Sequence, residues 1–401
     1  MIKTRPLAKF LGLNNRLDPM VGSLTEDGKP LTWEWQTQAD NVNLTDSGRY
    51  VRRDGYRPFI ALPAVASAFS TFDFQRLYAV SAGDLLQCNA DGSTEVLASG
   101  LVGKVWWAEA NDIVYVSGSR KLEILPDGTT REWGVPTPVE PLVSAGGGML
   151  APGTYQVSLT YTDAFGREGG ASIARDVEVS AGGITVAGIP TLADHYTNIY
   201  VAERGTVFNL AAVLPSSVTA FTVTSVPPGR ELTTAFLGEP PVGIRQVCYF
   251  RGRLYGAEYL AEANMTAVWF SQPLGYHLFG SDDSYLAVPG EVVQMGATID
   301  GATTTLVLCT RDEIFTYDGE RLERVAPYGS VPGQHMSLGP DKRLYFWTAR
   351  GLCRVAPFEN LTENHVSVPP GAEAGGAVFH QHGYVRYVAT LQGGGAAFNK
   401  R

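Results

Sequence analysis

DKRLYFWTARGLCRVAP, residues 341–357, reads as a β-hairpin. Leu344, Tyr345, Phe346 and Trp347 make a first strand, residues 348–351 (TARG) a turn closed by glycine, and Leu352, Cys353, Arg354 and Val355 a second strand of alternating apolar and polar residues. The pattern of strand, short turn ending in Gly or an acid, apolar residue and strand recurs along the chain. Residues 74–86 (FQRLYAVSAGDLL), 112–125 (DIVYVSGSRKLEIL) and 303–318 (TTTLVLCTRDEIFTYD) carry it closely. Residues 250–270 open as FRGRLYGAEY and return through AVWF, and a glycine-rich copy, HGYVRYVATLQGGGAAF, covers residues 382–398.

Spacing gives the repetition its meaning. The first strands centre on Leu77, Val114, Leu254, Leu306, Leu344 and Val385, so successive copies stand 37, 140, 52, 38 and 41 residues apart. Four of these intervals suit one four-stranded blade per repeat. The long one is a normal repeat plus about one hundred residues of different character. The expected fold is therefore all-β: a six-bladed β-propeller carrying an inserted β-sandwich of immunoglobulin or fibronectin III type. The expected divisions are residues 1–63 (an N-terminal segment completing the propeller and contacting neighbours), 64–136 (blades one and two), 137–241 (the sandwich) and 242–401 (blades three to six).

Composition agrees with this class. In 401 residues, 44% hydrophobic content with 10% aromatics excludes global disorder, and 45 Gly with 24 Pro suits many short strands joined by tight turns. The net charge of −9 disfavours binding to nucleic-acid phosphates, which needs clustered Lys and Arg, while a negative wall lets DNA pass without sticking. Cys88, Cys248, Cys309 and Cys353 lie far apart, each in or beside an expected strand, and read as reduced core residues of a chain made inside a cell. No run is apolar and long enough for export or for a membrane span.

The proline-rich PTPVEP (136–141) and SAGGG (144–148) together mark the boundary of the insert. Beyond them, GTYQVSLTYT (153–162) alternates strictly, with Tyr155, Val157, Leu159 and Tyr161 on one face. Further short strands are expected at residues 177–179, 184–186, 197–202 and 220–224. In the N-terminal segment, residues 31–56 suggest two short strands around the turn Asp46-Ser47-Gly48. Arg49, Arg52, Arg53 and Arg57 concentrate positive charge there. They suit either salt bridges to nearby acids or, with Tyr56, contact with an acidic neighbouring subunit.

Three stretches together resemble propeller-containing tail proteins of tailed bacteriophages, especially the tail nozzle, or tail tubular protein B, of short-tailed phages. They are GLNNRLDP (12–19) with ADNVNLTDSGRYVRRDGY (39–56), FRGRLYGA (250–257) running into WFSQPLGYHLF (269–279), and VLCTRDEIFTYDG (307–319). The chain is much shorter than the nozzle of the best-known short-tailed phages. The resemblance implies a structural virion component, synthesised in the host cytoplasm. It implies about six copies in a ring around the DNA exit channel, attached to an adaptor or tail-tube ring, with no cofactor and no catalytic residue. DNA would pass through without specific binding. A receptor- or glycan-binding propeller at the tail tip is the alternative reading.

Chemistry-bearing groups are sparse. His380 and His382 flank Gln381 and would share one face of a strand, but no carboxylate or cysteine lies near in sequence to complete a metal set. His277 and His335 read as hydrogen-bonding loop residues. A glycan-cleaving propeller would need two facing carboxylates. Asp84, Glu109, Asp112, Asp282, Asp283 and Glu313 are the available candidates, without a recognisable setting.

Overall fold

The computed structural model describes residues 58–280, 284–298, 304–381 and 384–393, with short strand segments between residues 9 and 52. The protein is all-β, built of many small, mostly antiparallel sheets. The only helical element among the described residues is the 3₁₀ turn Ala261–Ala263. Two compact units form, one from residues 65–88 and 94–288, the other from residues 1–64, 89–93 and 289–401.

In the first unit, Val65–Ser70, Leu77–Ser81, Asp84–Cys88 and Thr94–Ala98 pair in chain order as a four-stranded sheet. Trp106–Ala110, Ile113–Ser117, Lys121–Ile124 and Thr130–Glu132 make a second. A third runs from Gln246–Phe250 through Arg253–Leu260 and Met265–Gln272 to Gly275–Gly280, with Leu237–Gly238 at its edge. Strand alternation decides which neighbour each side chain meets. In Ile113–Ser117, Val114 and Val116 join Tyr78, Val80 and Leu85 of the first sheet in one core. Tyr115, between them, points the other way to Trp133, Leu254, Tyr276 and Phe279. A middle sheet with both faces covered explains why its inner strands read as nearly continuous apolar runs.

Residues 142–223 of the same unit form two sheets, one of Leu142–Leu150, Gly182–Ala187 and Ala220–Val223, the other of Arg175–Val179, Gly153–Asp163, His195–Glu203 and Asn209–Pro215. Tyr155, Val157 and Leu159 meet Ile184, Val186 and Val223 across a common core. Tyr161, expected on that face, is buried as well and donates its hydroxyl to the Pro190 carbonyl at 3.1 Å.

Residues 144–148, read with 136–141 as marking the boundary of the insert, lie inside its first strand, Leu142–Leu150. The glycines are there because backbones cross: a Cβ on Gly148 would stand 2.8 Å from both the Gly182 carbonyl and the Thr224 Cα.

In the second unit, the 341–357 hairpin forms as read: Leu344–Thr348 pairs with Gly351–Val355, Phe346 opposite Cys353. Gly351 closes the turn at φ 110°, open only to glycine without strain. This hairpin lies in a four-stranded sheet with Ser337–Leu338 and Glu359–Asn360, and shares a core with the sheet Val292–Ala297, Leu306–Thr310, Ile314–Tyr317, Leu322–Ala326. Of the last repeat, the first strand around Val385 forms, and the expected glycine-rich return lies mostly outside the described residues. Tyr384–Gln392 pairs with the strand before it, Glu373–Gln381, and Gly333–Gln334 joins alongside in parallel. Near the N-terminus, Val42–Leu44 pairs with Tyr50–Arg52, the two short strands expected there; their turn lies outside the described residues.

All four cysteines are free and buried, and burial pushes their thiols up. None should react with a thiol reagent at neutral pH until the chain unfolds, as checked by absorbance with and without denaturant. A thiol titrating rapidly in the native protein would contradict the packing.

Candidate functional site

The densest group of buried charge among the described residues lies where the segment after Gly153–Asp163 meets the second and third sheets of its unit. The turn begins at Asp163, whose Oδ1 accepts the backbone N–H groups of Phe165 (3.0 Å) and Arg167 (2.8 Å). An aspartate at the head of a tight turn does this by side-chain mimicry of the backbone. The turn aims Arg167 into the second sheet. Its Nε donates to Asp163 Oδ2 at 2.8 Å, Nη1 to Glu123 Oε1 at 2.8 Å, and Nη2 to the Glu132 carbonyl at 2.9 Å.

Glu123 is 1% exposed, although its neighbours in Lys121–Ile124 are an apolar pair that would leave it on an outer face. It is tolerated because two guanidinium groups close on it: Arg167, and Arg131 from the adjacent strand, whose Nε donates at 2.6 Å. Burial pushes the Glu123 carboxyl up, against the pull of Arg167 and then Arg131. Burial also acts to raise Asp163, but the N–H and guanidinium bonds of Arg167 outweigh it and hold that carboxyl below its ordinary range. Arg131 stacks over the Phe165 ring at 4.7 Å.

The next residues continue the clamp. Glu168 is buried and accepts hydrogen bonds from Thr160 Oγ1 (2.5 Å), Tyr200 Oη (2.8 Å) and Asn198 Nδ2 (3.0 Å), and it pairs with Arg230. His277 of the third sheet donates its Nε2–H to the Glu168 carbonyl at 3.1 Å, and burial lowers the affinity of that ring for a proton. Trp133, fully buried, donates to the Tyr276 carbonyl at 2.8 Å. Gly170 sits so close to the Leu237 carbonyl that no Cβ fits. One turn thus ties the 142–223 sheets to two neighbouring sheets by charge, hydrogen bond and backbone contact.

Beside this clamp opens a cleft of about 470 Å³, lined by Lys121, Arg131, Asp163, Phe165, Asp194 and Glu239, among others. Its cations are engaged: Arg131 and Arg167 as above, and Lys121 by donating to the Val242 carbonyl at 2.7 Å. Asp194 and Glu239 are exposed, and neither makes a hydrogen bond or close ion pair among the described residues. Lys121, pushed down by burial, feels the charge of Glu258 and then that of Glu239 through space.

Of the residues singled out from sequence, His277 joins the clamp, in the strand Gly275–Gly280 and not in the loop expected for it, and the others described lie elsewhere. Arg52 is exposed on Tyr50–Arg52, while Arg49, Arg53, Tyr56 and Arg57 lie outside the described residues. His380 is exposed on Glu373–Gln381, and His382 lies outside the described residues. His335 is fully buried and hydrogen-bonded on both ring nitrogens. Of the carboxylate candidates, Glu109 accepts the Phe72 N–H at 2.8 Å and Glu313 pairs with Arg324 at 2.6 Å, whereas Asp282 and Asp283 lie outside the described residues. No group of three or more His, Cys, Asp or Glu among the described residues is placed to hold a metal, and no described helix is long and apolar enough to cross a membrane. Glu123 and Arg167 escaped notice because each looked like a routine outward polar residue. The signal was the acid–turn–arginine–acid run DAFGRE, residues 163–168.

No family model matches the chain, and no curated protein does. Among solved structures it is similar to AztD from Citrobacter koseri, at 13% identity over 82% of this chain and 90% of that one, with a TM-score of 0.29. It is similar to Hsv2 of Kluyveromyces lactis at 11% identity over 76% and 77%, also with a TM-score of 0.29. A third similarity, at 11% identity and a TM-score of 0.29, is to the extracellular domain of a two-component system protein from B. thetaiotaomicron; it covers 80% of this chain but only 36% of that one.

Proposed function

We propose that this chain is a structural component of a bacteriophage tail. Its six sheet repeats close into a propeller, and copies of it form a ring around the DNA exit channel, attached to an adaptor or tail-tube ring. The observation that carries the reading is the Asp163–Glu168 clamp. Its ionisable groups are committed to one another and to backbone carbonyls, which suits a rigid building element that holds its surfaces in fixed relation. The phage resemblance of residues 12–19, 39–56, 250–279 and 307–319 supplies the setting. A net charge of −9 suits a wall past which DNA slides.

Electron microscopy of the purified protein tests this directly: rings with a countable number of subunits are expected. A strictly monomeric protein that binds host lipopolysaccharide would overturn the nozzle reading in favour of a tail-tip receptor binder, and loss of polysaccharide viscosity on incubation would establish a glycan-cleaving enzyme. Arg52→Glu together with Arg53→Glu should weaken ring or virion assembly while leaving the circular dichroism spectrum of the monomer unchanged. Normal virion incorporation of that double variant would remove these arginines from the interface.

A further inference from the structure

We infer that the cleft beside the clamp receives an arginine side chain from a second copy of this chain, which deepens the ring-forming reading above and rests on it. Three features of the cleft point to a guanidinium. The first is its unmatched charge. Arg131 and Arg167 are neutralised by Glu123 and Asp163, and Glu132 is paired with Arg120 at 2.6 Å. Asp194 and Glu239 remain exposed in the lining, set against Lys121, on which Glu258 also acts, and a His195 ring counted as neutral, a local excess of negative charge. The second is Phe165: although the Arg131 guanidinium occupies one side of its ring, the residue keeps 52% of its surface exposed, an apolar area for the stem of a further arginine side chain. The third is size: about 470 Å³ falls in the range of roughly 300–1,000 Å³ typical of sites that enclose a small ligand, ample for one long side chain.

Charge complementarity picks the donor. The chain is acidic overall, yet residues 49–57 (RYVRRDGYR) hold four arginines, and Arg52 is exposed on its strand. A planar fork with a long apolar stem fits acids at the rim and an aromatic floor better than a lysine ammonium does. A head-to-tail contact of this kind, one patch meeting a different patch on the next copy, generates a ring when the rotation between copies closes and a filament when it does not.

The experiment uses the full-length protein and a fluorescently labelled peptide of residues 46–57, DSGRYVRRDGYR, with binding followed by anisotropy. Saturable binding is expected, weakened roughly tenfold by Asp194→Asn with Glu239→Gln and by raised salt, and lost when the peptide's arginines are replaced by glutamine. Both carboxylates are exposed, so the double variant should melt as the native protein does. Phe165→Leu should weaken binding without altering the salt dependence. Absence of peptide binding, or binding indifferent to the carboxylate substitutions, overturns the inference. Rings seen by microscopy alongside that result leave the scaffold reading intact. Peptide binding by a protein that forms no ring at any concentration has the opposite meaning: the cleft binds arginine, and the ring reading fails.

Discussion

Arg167→Met is expected to destabilise the unit of residues 65–88 and 94–288 by about 3–5 kcal/mol, the usual cost of removing one partner from a buried ion network. The variant leaves Glu123, 1% exposed, with Arg131 as its single counter-charge, and deprives Asp163 of its guanidinium. It also leaves the carbonyls of Glu132 and Trp133 without their donor. Methionine fills the space but supplies no donor, so the loss reports charge and hydrogen bonding more than packing. A second variant sets the scale. Arg120→Met breaks an ion pair whose side chains are 40% and 61% exposed, and should cost less than about 1 kcal/mol. Urea unfolding measures both. Because the chain has two compact units, hydrogen exchange with mass spectrometry should place the Arg167 effect in peptides of residues 65–288. Equal effects of the two substitutions would mean that the clamp contributes no more than a surface pair.

The second large effect is a loss of stability in acid, centred on His335. This ring is fully buried in the other unit. Its Nε2–H donates to the Val331 carbonyl at 2.5 Å, and its Nδ1 accepts the Trp347 backbone N–H at 3.0 Å. Those two bonds fix the neutral tautomer. Protonation would put a hydrogen on Nδ1, turn the Trp347 N–H away and bury a charge. Burial accordingly lowers the ring to about 4 from 6.5. The sign follows from linkage. Below pH 6.5 the unfolded chain takes up a proton that the folded one refuses until about pH 4, so stability falls as pH falls across that window. The shift corresponds to about 3 kcal/mol. His335→Gln, which keeps an acceptor and a donor, should show a flatter pH dependence between 6.5 and 4 even if it is less stable at neutral pH. Identical slopes for the two proteins would assign the acid sensitivity to other groups.

What could be read in the sequence was local. Short strands, alternation and glycine-closed turns are decided by neighbours two to four residues apart, so the hairpins at Leu344–Thr348 with Gly351–Val355 and at Ile113–Ser117 with Lys121–Ile124 stood where the pattern put them. The strictly alternating run that became Gly153–Asp163 was legible for the same reason. The buried cysteines and the hydrogen-bonding roles of His277 and His335 were legible too, although His277, expected in a loop, lies in the strand Gly275–Gly280. Glycine was the weak point. A run of glycines marks a boundary when the chain is seen alone, but Gly146 and Gly148 lie in a strand because Gly182, Thr185 and Thr224 approach from elsewhere in the chain.

Sequence alone therefore determined the all-β character and the sign of the overall charge, since each depends on composition and short-range periodicity. Tertiary structure decided which polar residues are buried together. Glu123, Arg131, Asp163 and Arg167 span more than forty positions of the chain, with Glu123 and Arg167 44 residues apart. Nothing in the immediate neighbours of any one of them reveals the others. A buried charge is tolerable only where its partners converge in space, and that convergence is a property of how the sheets pack.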